Sequence, residues 1–397
     1  MIFLKKPHVS STRVPHYKNT QDCATEKLLS PKSVTILLSQ HIGAPAAACV
    51  AKGDHVYVGT LVGKAGGFVS ANVHSSVSGT VSGLTELVNP MGAHVQAVVI
   101  ESDGQFTPDP SIAPPEVSDA KSLVAAIAQS GLVGLGGAGF PTHVKLSIPE
   151  GANVDTLIVN AAECEPYITS DYREMVEFPE RIIGGVCKVR ELLGIKRAVI
   201  AVEANKPAAI ETLRRLSEGK QIEVIKLPST YPQGAEKVLI TNVTGRIVPA
   251  GKLPADAGCL VLNTATVSFI HEYLRTGMPL VSKRLTVDGG AVARGCNLMV
   301  PIGTPVREVI EAAGGYSGEC AKLLMGGPMM GTALASDEFP ILKNNNAILA
   351  LSPEQVGQLK NNPCIRCGRC IEACPMNLSP AEIQTESRPF PAPFRKF

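Results

Sequence analysis

Four cysteines near the C-terminal end, Cys364, Cys367, Cys370 and Cys374, stand in the run C-x2-C-x2-C-x3-C and are followed by Pro375. Two intervening residues let a chain curl so that successive sulfurs reach the irons of one cubane iron-sulfur cluster. The backbone N–H groups between them then point at the cluster's sulfides and stabilise its negative charge. Gly368 suits that curl because glycine tolerates φ > 0. A structural zinc site would want two separated C-x2-C knuckles, and a disulfide framework belongs to short secreted chains. Where two clusters are present, the fourth cysteine of each run ligates the other one. Cys364, Cys367 and Cys370 would then hold one cluster and Cys374 would serve a second. The sequence contains no second run, so at most one 4Fe-4S cluster is expected.

A second concentration of chemistry lies at residues 131–142, where Gly134, Gly136 and Gly139 satisfy G-x-G-x-x-G and Gly137 thickens the loop. The dinucleotide fingerprint needs a strand before these glycines. Residues 120–130 instead carry Leu123, Val124 and Ile127 at helical spacing. What survives is the physical capacity of such a loop: its N–H groups approach a phosphate or flavin closely, and Lys145 lies a few residues on to supply charge. Four strand-like runs follow at 156–160, 197–202, 222–227 and 259–263, each succeeded by a helical pattern. That alternation predicts a mostly parallel sheet covered by helices, with ligands at the carboxyl ends of its strands. Those ends carry Asn160 with Glu163 and Glu165, Glu203 with Asn205, the 228–234 segment with Glu236, and Asn263 with Thr264 and Thr266. All of them are expected to face one crevice.

The elements that must position these groups follow from composition and punctuation. At 397 residues the chain exceeds one ordinary core, so several domains are expected. A formal charge of +2 and only 4% aromatic residues, with no tryptophan, weigh against nucleic acid as a partner. Eleven cysteines, seven of them scattered, point to a reducing compartment. No run reaches the roughly 18 apolar residues of a membrane-spanning helix, and the first residues show no secretory signal pattern. Residues 1–32, punctuated by Pro7, Pro15 and Pro31, read as an extended arm. Short apolar runs at 34–37, 56–58 and 95–100 make 33–104 an all-β unit whose halves resemble a biotinyl or lipoyl carrier barrel. The place of the modified lysine falls at Phe68, so a structural sandwich reused for docking is expected. A Pro-, Asp- and Ser-rich linker at 102–118 precedes the α/β domain, 119–280. Residues 281–350 read as a small β-grasp domain and 351–397 as the partial ferredoxin-like cluster segment. Met325, Met329 and Met330 are expected to serve core or turn packing.

The loop residues 134–142 with Lys145, and the segment Asn160-Ala161-Ala162-Glu163-Cys164-Glu165-Pro166, resemble the flavin loops of the NADH-oxidising subunit of respiratory complex I. The whole order resembles the C-subunit family of Rnf (Rsx) electron-transport complexes: Ser39-Gln40-His41-Ile42-Gly43-Ala44-Pro45, carrier-like barrel, flavin domain, β-grasp unit and cysteine run. The resemblance runs from about residue 30 to Pro380. It implies a non-covalent FMN with NAD(H) laid over it. Gly134, Gly136, Gly137, Gly139 and Lys145 would take the flavin phosphate and ring edge. Asn160, Glu163 and Glu165 would surround the isoalloxazine and nicotinamide, and Gly234, Glu236, Asn263 and Thr266 would complete the pocket. Phe140 matches an aromatic that stacks on adenine, and the second stacking position corresponds to Ile148. Where complex I has consecutive acids, this chain has Gly234-Ala235-Glu236. Relative to that family the sequence is expected to be C-terminally truncated, with Ser379 and Pro380 opening one last helix.

The resemblance implies a peripheral NADH-linked oxidoreductase subunit on the cytoplasmic face of the bacterial inner membrane. It would pass electrons between NAD(H), FMN and iron-sulfur clusters to other subunits, with ferredoxin-type carriers among its partners. A flavin bridges hydride and one-electron chemistry, so no catalytic triad is required. The competing expectation is a non-catalytic docking subunit like the A subunit of the sodium-pumping NADH-quinone reductase, which has the barrel and flavin-like domains without the cysteine run.

Overall fold

The computed structural model describes residues 11–27, 31–149, 151–357, 364–374 and 378–386. The beginning of the arm, Pro363, Pro375 and the proline-rich final residues lie outside the described residues, and so do the readings made on them.

The centre is a four-stranded parallel sheet in the order Ile222–Leu227, Arg197–Glu203, Thr156–Ala161, Cys259–Asn263. A sheet of this kind is buried on both faces, so its strands read as near-continuous apolar runs. Leu157, Val159 and Ala161 pack with Leu123, Val186 and Val267, which come from helices Ala120–Gln129, Pro179–Leu192 and Thr264–Thr276. On the other face Ile158 meets Leu239, Ile240 and Val243 of helix Glu236–Thr244. Helices Pro179–Leu192 and Thr264–Thr276 approach closely because Gly185 carries no side chain. A Cβ there would stand 2.0 Å from the Val267 carbonyl oxygen.

N-terminal to this lies a sandwich of two antiparallel sheets. The larger contains Ser33–Leu37, His94–Ser102, Gly79–Val88 and His55–Val56, and the smaller Ala47–Ala48, Leu61–Lys64 and Val73–His74. Alternating Val34, Ile36, Val98 and Ile100 face Val62 and Val73 across its core. Phe68, at the carrier-lysine position, lies in the loop between the last two strands of the smaller sheet. Its ring stands edge-on to His143 and its carbonyl oxygen pairs with His143 Nε2 at 3.0 Å. The tip that swings in a carrier protein is here fastened beside the glycine loop.

C-terminal to the parallel sheet is a mixed sheet in the order Thr25–Lys27, Cys296–Pro301, Ser282–Asp288, Ala347–Leu351, Lys322–Met325, Thr332–Leu334. Helix Val306–Ala312 covers it through Val306, Val309 and Ile310. Its first strand belongs to the N-terminal arm. Polar patterning assigned the arm no partner, because a strand pairing through backbone groups leaves no trace in side-chain hydrophobicity. Thr25, Glu26 and Lys27 pair in parallel with Asn297, Leu298 and Met299. Helix Pro380–Glu386 opens on Pro380 as expected, and Ile383 N–H donates to the Ser379 carbonyl oxygen at 3.0 Å. No helix among the described residues is long and apolar enough to cross a membrane.

Candidate functional site

The glycine loop follows helix Ala120–Gln129, with no strand before it, and closes on itself: Gly134 N–H donates to Phe140 O at 2.8 Å. Gly136, Gly137 and Ala138 are exposed at its tip. A Cβ on Gly137, at φ 121°, would meet nothing within 4 Å, so the tip is an open cradle of backbone. One on Gly136 would press on Asn263 at 3.2 Å. All three folded units hold this loop. Thr266 Oγ1 accepts from Leu135 N–H at 3.1 Å, while Lys283 Nζ donates to Leu135 O at 3.3 Å. Asn344 Nδ2 donates to Gly137 O at 2.7 Å, and Ile42 N–H to Gly139 O at 3.1 Å. A loop fixed by its neighbours can present N–H groups to an anion without losing entropy when the anion arrives.

The carboxyl ends of the parallel strands do converge. Asn160 Nδ2 donates to Gly234 O at 2.8 Å. Gly234 N–H in turn contacts Cys164 Sγ at 3.4 Å, and a Cβ on Gly234 would strike that sulfur at 3.2 Å. Asn263 caps helix Thr264–Thr276 through Ala265 and Thr266 N–H and donates to Asp171 Oδ2 at 2.6 Å. Lys145 Nζ pairs with Glu236 Oε2 at 2.7 Å, both partly exposed, so its charge is already shared before any phosphate is considered.

The two acids of the Glu-Cys-Glu segment each accept from backbone N–H groups of a different turn. The Glu163 side chain is buried, and its Oε1 accepts from Asp171 N–H at 2.6 Å and Tyr172 N–H at 3.3 Å, at the start of helix Ser170–Glu177. Its Oε2 has no hydrogen-bond partner and lies 4.0 Å from Lys18 Nζ. Glu165 accepts from Met329 and Met330 N–H at 3.2 and 2.6 Å. Those methionines therefore serve an exposed turn through their backbone, while Met325 is core. Phe140 is half-buried. Ile148 lines a concavity of about 440 Å³ with Leu146 and Val154, toward the amino ends of the strands and away from the crevice. A second concavity, about 630 Å³, lies between the arm strand and helix Val306–Ala312 and is likewise remote.

Side-chain patterning missed the cations that hold this region. Lys206, 3% exposed, donates to Ala162 O at 2.7 Å and pairs with Glu203 at 3.4 Å. A lysine just before the proline that opens helix Pro207–Ser217, at a strand's carboxyl end, was the available signal. Lys18, from the arm, carried none. Burial pulls the Lys18 ammonium down to about 8, against the opposing charge of Glu163. Burial also pushes the Glu163 carboxyl up to about 7, against Lys18 and Lys206. A carboxyl raised on folding contributes stability that is present below its unfolded value, roughly 4.3, and lost as pH rises through about 7. Glu163→Gln is therefore expected to flatten the fall in unfolding free energy across that window, by up to about one proton's worth of slope. Urea titrations at a series of pH values measure it, and an unchanged slope would contradict the assignment.

Cys364, Cys367 and Cys370 are exposed and Cys374 half-buried, all as free thiols. Arg366 and Gly368 take positive φ, 54° and 78°, before the short helix Arg369–Ala373, which is the curl the spacing predicted. Among the described residues, however, no three His, Cys, Asp or Glu side chains are gathered as a metal-binding group. The structure thus does not assemble Cys364, Cys367, Cys370 and Cys374 into a ready site. The physical reason is that thiolates have no attraction for one another until iron bridges them. The donor chemistry and the curl fit a cluster; the convergence has to come with it.

Comparison with known proteins agrees with this architecture. Residues 127–272 match the family model of the Nuo51 FMN-binding domain, residues 11–105 that of the RnfC barrel sandwich hybrid domain, and residues 284–333 that of the SLBB domain. The fold is thus a mixed α/β assembly of a barrel sandwich, a Nuo51-type domain and an SLBB-type domain. The C subunit of the proton-translocating ferredoxin:NAD(+) oxidoreductase complex of Clostridium ljungdahlii is 43% identical over 89% of this chain and 78% of its own length. The C subunit of the corresponding Na(+)-translocating complex of Acetobacterium woodii is 43% identical, over 90% and 82%. That of the ion-translocating oxidoreductase complex of Rhodobacter capsulatus is 40% identical, over 93% and 72%. The chain belongs to the RnfC family, the C subunits of the ion-translocating oxidoreductase complexes.

Proposed function

We propose that the chain is the peripheral electron-transfer subunit of an Rnf-type ferredoxin:NAD(+) oxidoreductase, passing electrons between NAD(H), FMN and an iron-sulfur cluster in support of ion translocation. The observation that carries this reading is the glycine cradle, open at Gly137 and braced from three sides, at the carboxyl ends of a parallel sheet. Bound there, FMN would supply the exchange between hydride and single-electron chemistry. The residues that would hold it are Gly134, Gly136, Gly137, Gly139, Asn160, Gly234, Asn263 and Thr266, with Lys145 and Glu236 as a charged pair at the edge. Glu163 and Glu165 would act from behind, by fixing the turn that carries Cys164. The same reading makes 281–350 a β-grasp unit, supported by its strand order once the arm strand is set aside. Cys364, Cys367, Cys370 and Cys374 would be the thiolates of the cluster segment, and the subunit would sit against membrane partners on the cytoplasmic face.

The test is an absorbance spectrum and iron count of anaerobically purified protein, with FMN titration of flavin-free protein by quenching of flavin fluorescence. Gly137→Val fills the cradle and strains a backbone at φ 121°, at a cost of about 1–3 kcal/mol. It is expected to weaken FMN by about tenfold or more. Protein with neither flavin nor iron, and no FMN uptake, would instead assign the chain to docking without electron transfer.

A further inference from the structure

The N-terminal arm crosses the mouth of the crevice and is fastened to it by polar contacts. Thr12 and Tyr231 exchange backbone hydrogen bonds at 2.9 and 2.8 Å, on the segment that leads to Gly234. Tyr167 N–H donates to His16 O at 2.9 Å, and the Tyr17 and Tyr167 rings stack with centroids 5.0 Å apart. Thr20 and Thr169 hydroxyls bond at 2.6 Å. Between them Lys18 Nζ donates to the carbonyl oxygens of Glu163, Glu165 and Ile168 at 2.9, 2.8 and 2.5 Å. An ammonium has three N–H donors, and all three are spent on the single turn 163–168.

That turn does not hold its shape unaided. Glu163 and Tyr167 sit at φ 51° and 69°, a region that costs a non-glycine residue energy and persists only where the surroundings over-determine it. Carbonyls turned toward one point also repel one another without a cation between them. Glu163 and Glu203 each keep one buried oxygen without a hydrogen-bond partner nearby, so the local charge balance depends on the Lys18 and Lys206 ammonium groups.

We infer that arm residues 12–20 are a strap that shapes the nucleotide crevice, and that Lys18 is the positioning residue for the 163–168 turn, and through it for a bound flavin or nicotinamide nucleotide. This rests on the flavin reading above for the ligand, and on the geometry alone for the strap. Lys18 acts through carbonyl oxygens and touches no ligand. Its contribution is to hold Cys164 against Gly234 and Glu165 against the Met329–Met330 turn in one arrangement before nucleotide arrives, which lowers the ordering cost of binding.

The experiment uses the full chain as wild type, Lys18→Ala and Tyr17→Gly. Hydrogen exchange of residues 163–170 is measured on flavin-free protein, and FMN affinity by fluorescence quenching. Each is measured with and without n-propylammonium chloride, against sodium chloride at equal ionic strength. Lys18→Ala is expected to speed exchange in 163–170 by about tenfold or more and to weaken FMN by about tenfold, with exchange in strand Ser33–Leu37 unchanged. Propylammonium, which replaces the deleted side chain, restores both and sodium does not. A merely structural loss of packing would not answer to the cation. If Lys18→Ala fails to fold, Tyr17→Gly carries the test, with faster exchange at 167–170 expected. Unaltered exchange in the folded variants, or weakening that propylammonium leaves in place, overturns the inference. Wild-type protein that takes up no FMN would fail the flavin reading, while the exchange measurements still decide the strap.

Discussion

Lys206→Met lowers the unfolding free energy by about 3–5 kcal/mol, the range seen when one partner of a buried ion pair is removed. The side chain is enclosed at the carboxyl end of the second parallel strand, where it donates to Ala162 O, Asn205 Oδ1 and Glu203 Oε2. Glu203 is fully buried, and its carboxyl is already pushed above the ordinary range by burial, with Lys206 opposing that push. Methionine fills the volume but returns none of the charge, so the Glu203 carboxylate must protonate or draw in water. The adjoining strand end carries Ala162 and Glu163, so the damage reaches the crevice. Guanidinium denaturation measures the loss. Adding Glu203→Gln removes the stranded charge and is expected to recover more than half of it, as coupled neighbours do. A double variant no more stable than Lys206→Met would refute the electrostatic account.

Arg284→Ala is expected to be as severe, and by a route that separates two of the folded units. Arg284 projects from strand Ser282–Asp288 of the mixed sheet and pairs through Nη1 with Glu174 and through Nη2 with Glu177 at 3.2 Å. Its guanidinium also lies 5.3 Å from the Phe178 ring centroid. Glu177 Oε1 accepts from Thr25 N–H at 2.8 Å, which ties the arm strand to the same cluster, and Ser268 Oγ donates to Glu174. Glu177 keeps Arg173, whose Nε and Nη2 donate to its Oε1 at 2.8 and 2.7 Å, so removing Arg284 strands the Glu174 carboxylate at a largely dry junction, at a cost of about 3–5 kcal/mol. Calorimetry should show unfolding of the variant broader, or split further, than that of the wild type, as the mixed sheet loses its hold on helix Ser170–Glu177. Combining Arg284→Met with Glu174→Gln should restore most of the stability, because Glu177 keeps Arg173 as its partner and no carboxylate is left stranded. A sharp transition at the wild-type temperature in Arg284→Ala would rule out this role.

The elements were legible because each announces itself locally. The four parallel strands end within a residue of where their apolar runs end, and helix Ala120–Gln129 follows from Leu123, Val124 and Ile127 with Asp119 capping it. The absence of a strand before the glycines, which argued against a dinucleotide fingerprint, is what the fold contains. Convergence of Asn160, Gly234 and Asn263 was legible too, since parallel topology brings carboxyl ends together. Which way each acid turns was not. Glu163 and Glu165 look equivalent in sequence, yet one stands at the start of a helix and the other captures a turn more than 160 residues away.

The order of units, the kind of sheet, the glycine loop and the thiol chemistry of Cys364, Cys367, Cys370 and Cys374 are set by residue type and spacing alone, because period, backbone freedom and ligand softness are local properties. The arm's pairing, the enclosed cations Lys18, Lys206 and Lys283, and the bracing of the glycine loop by Asn344 and Ile42 depend on contacts between residues far apart in the chain. Only tertiary structure could decide them. A lysine's sequence looks the same whether its ammonium ends in water or on three carbonyl oxygens, and only the fold sets which.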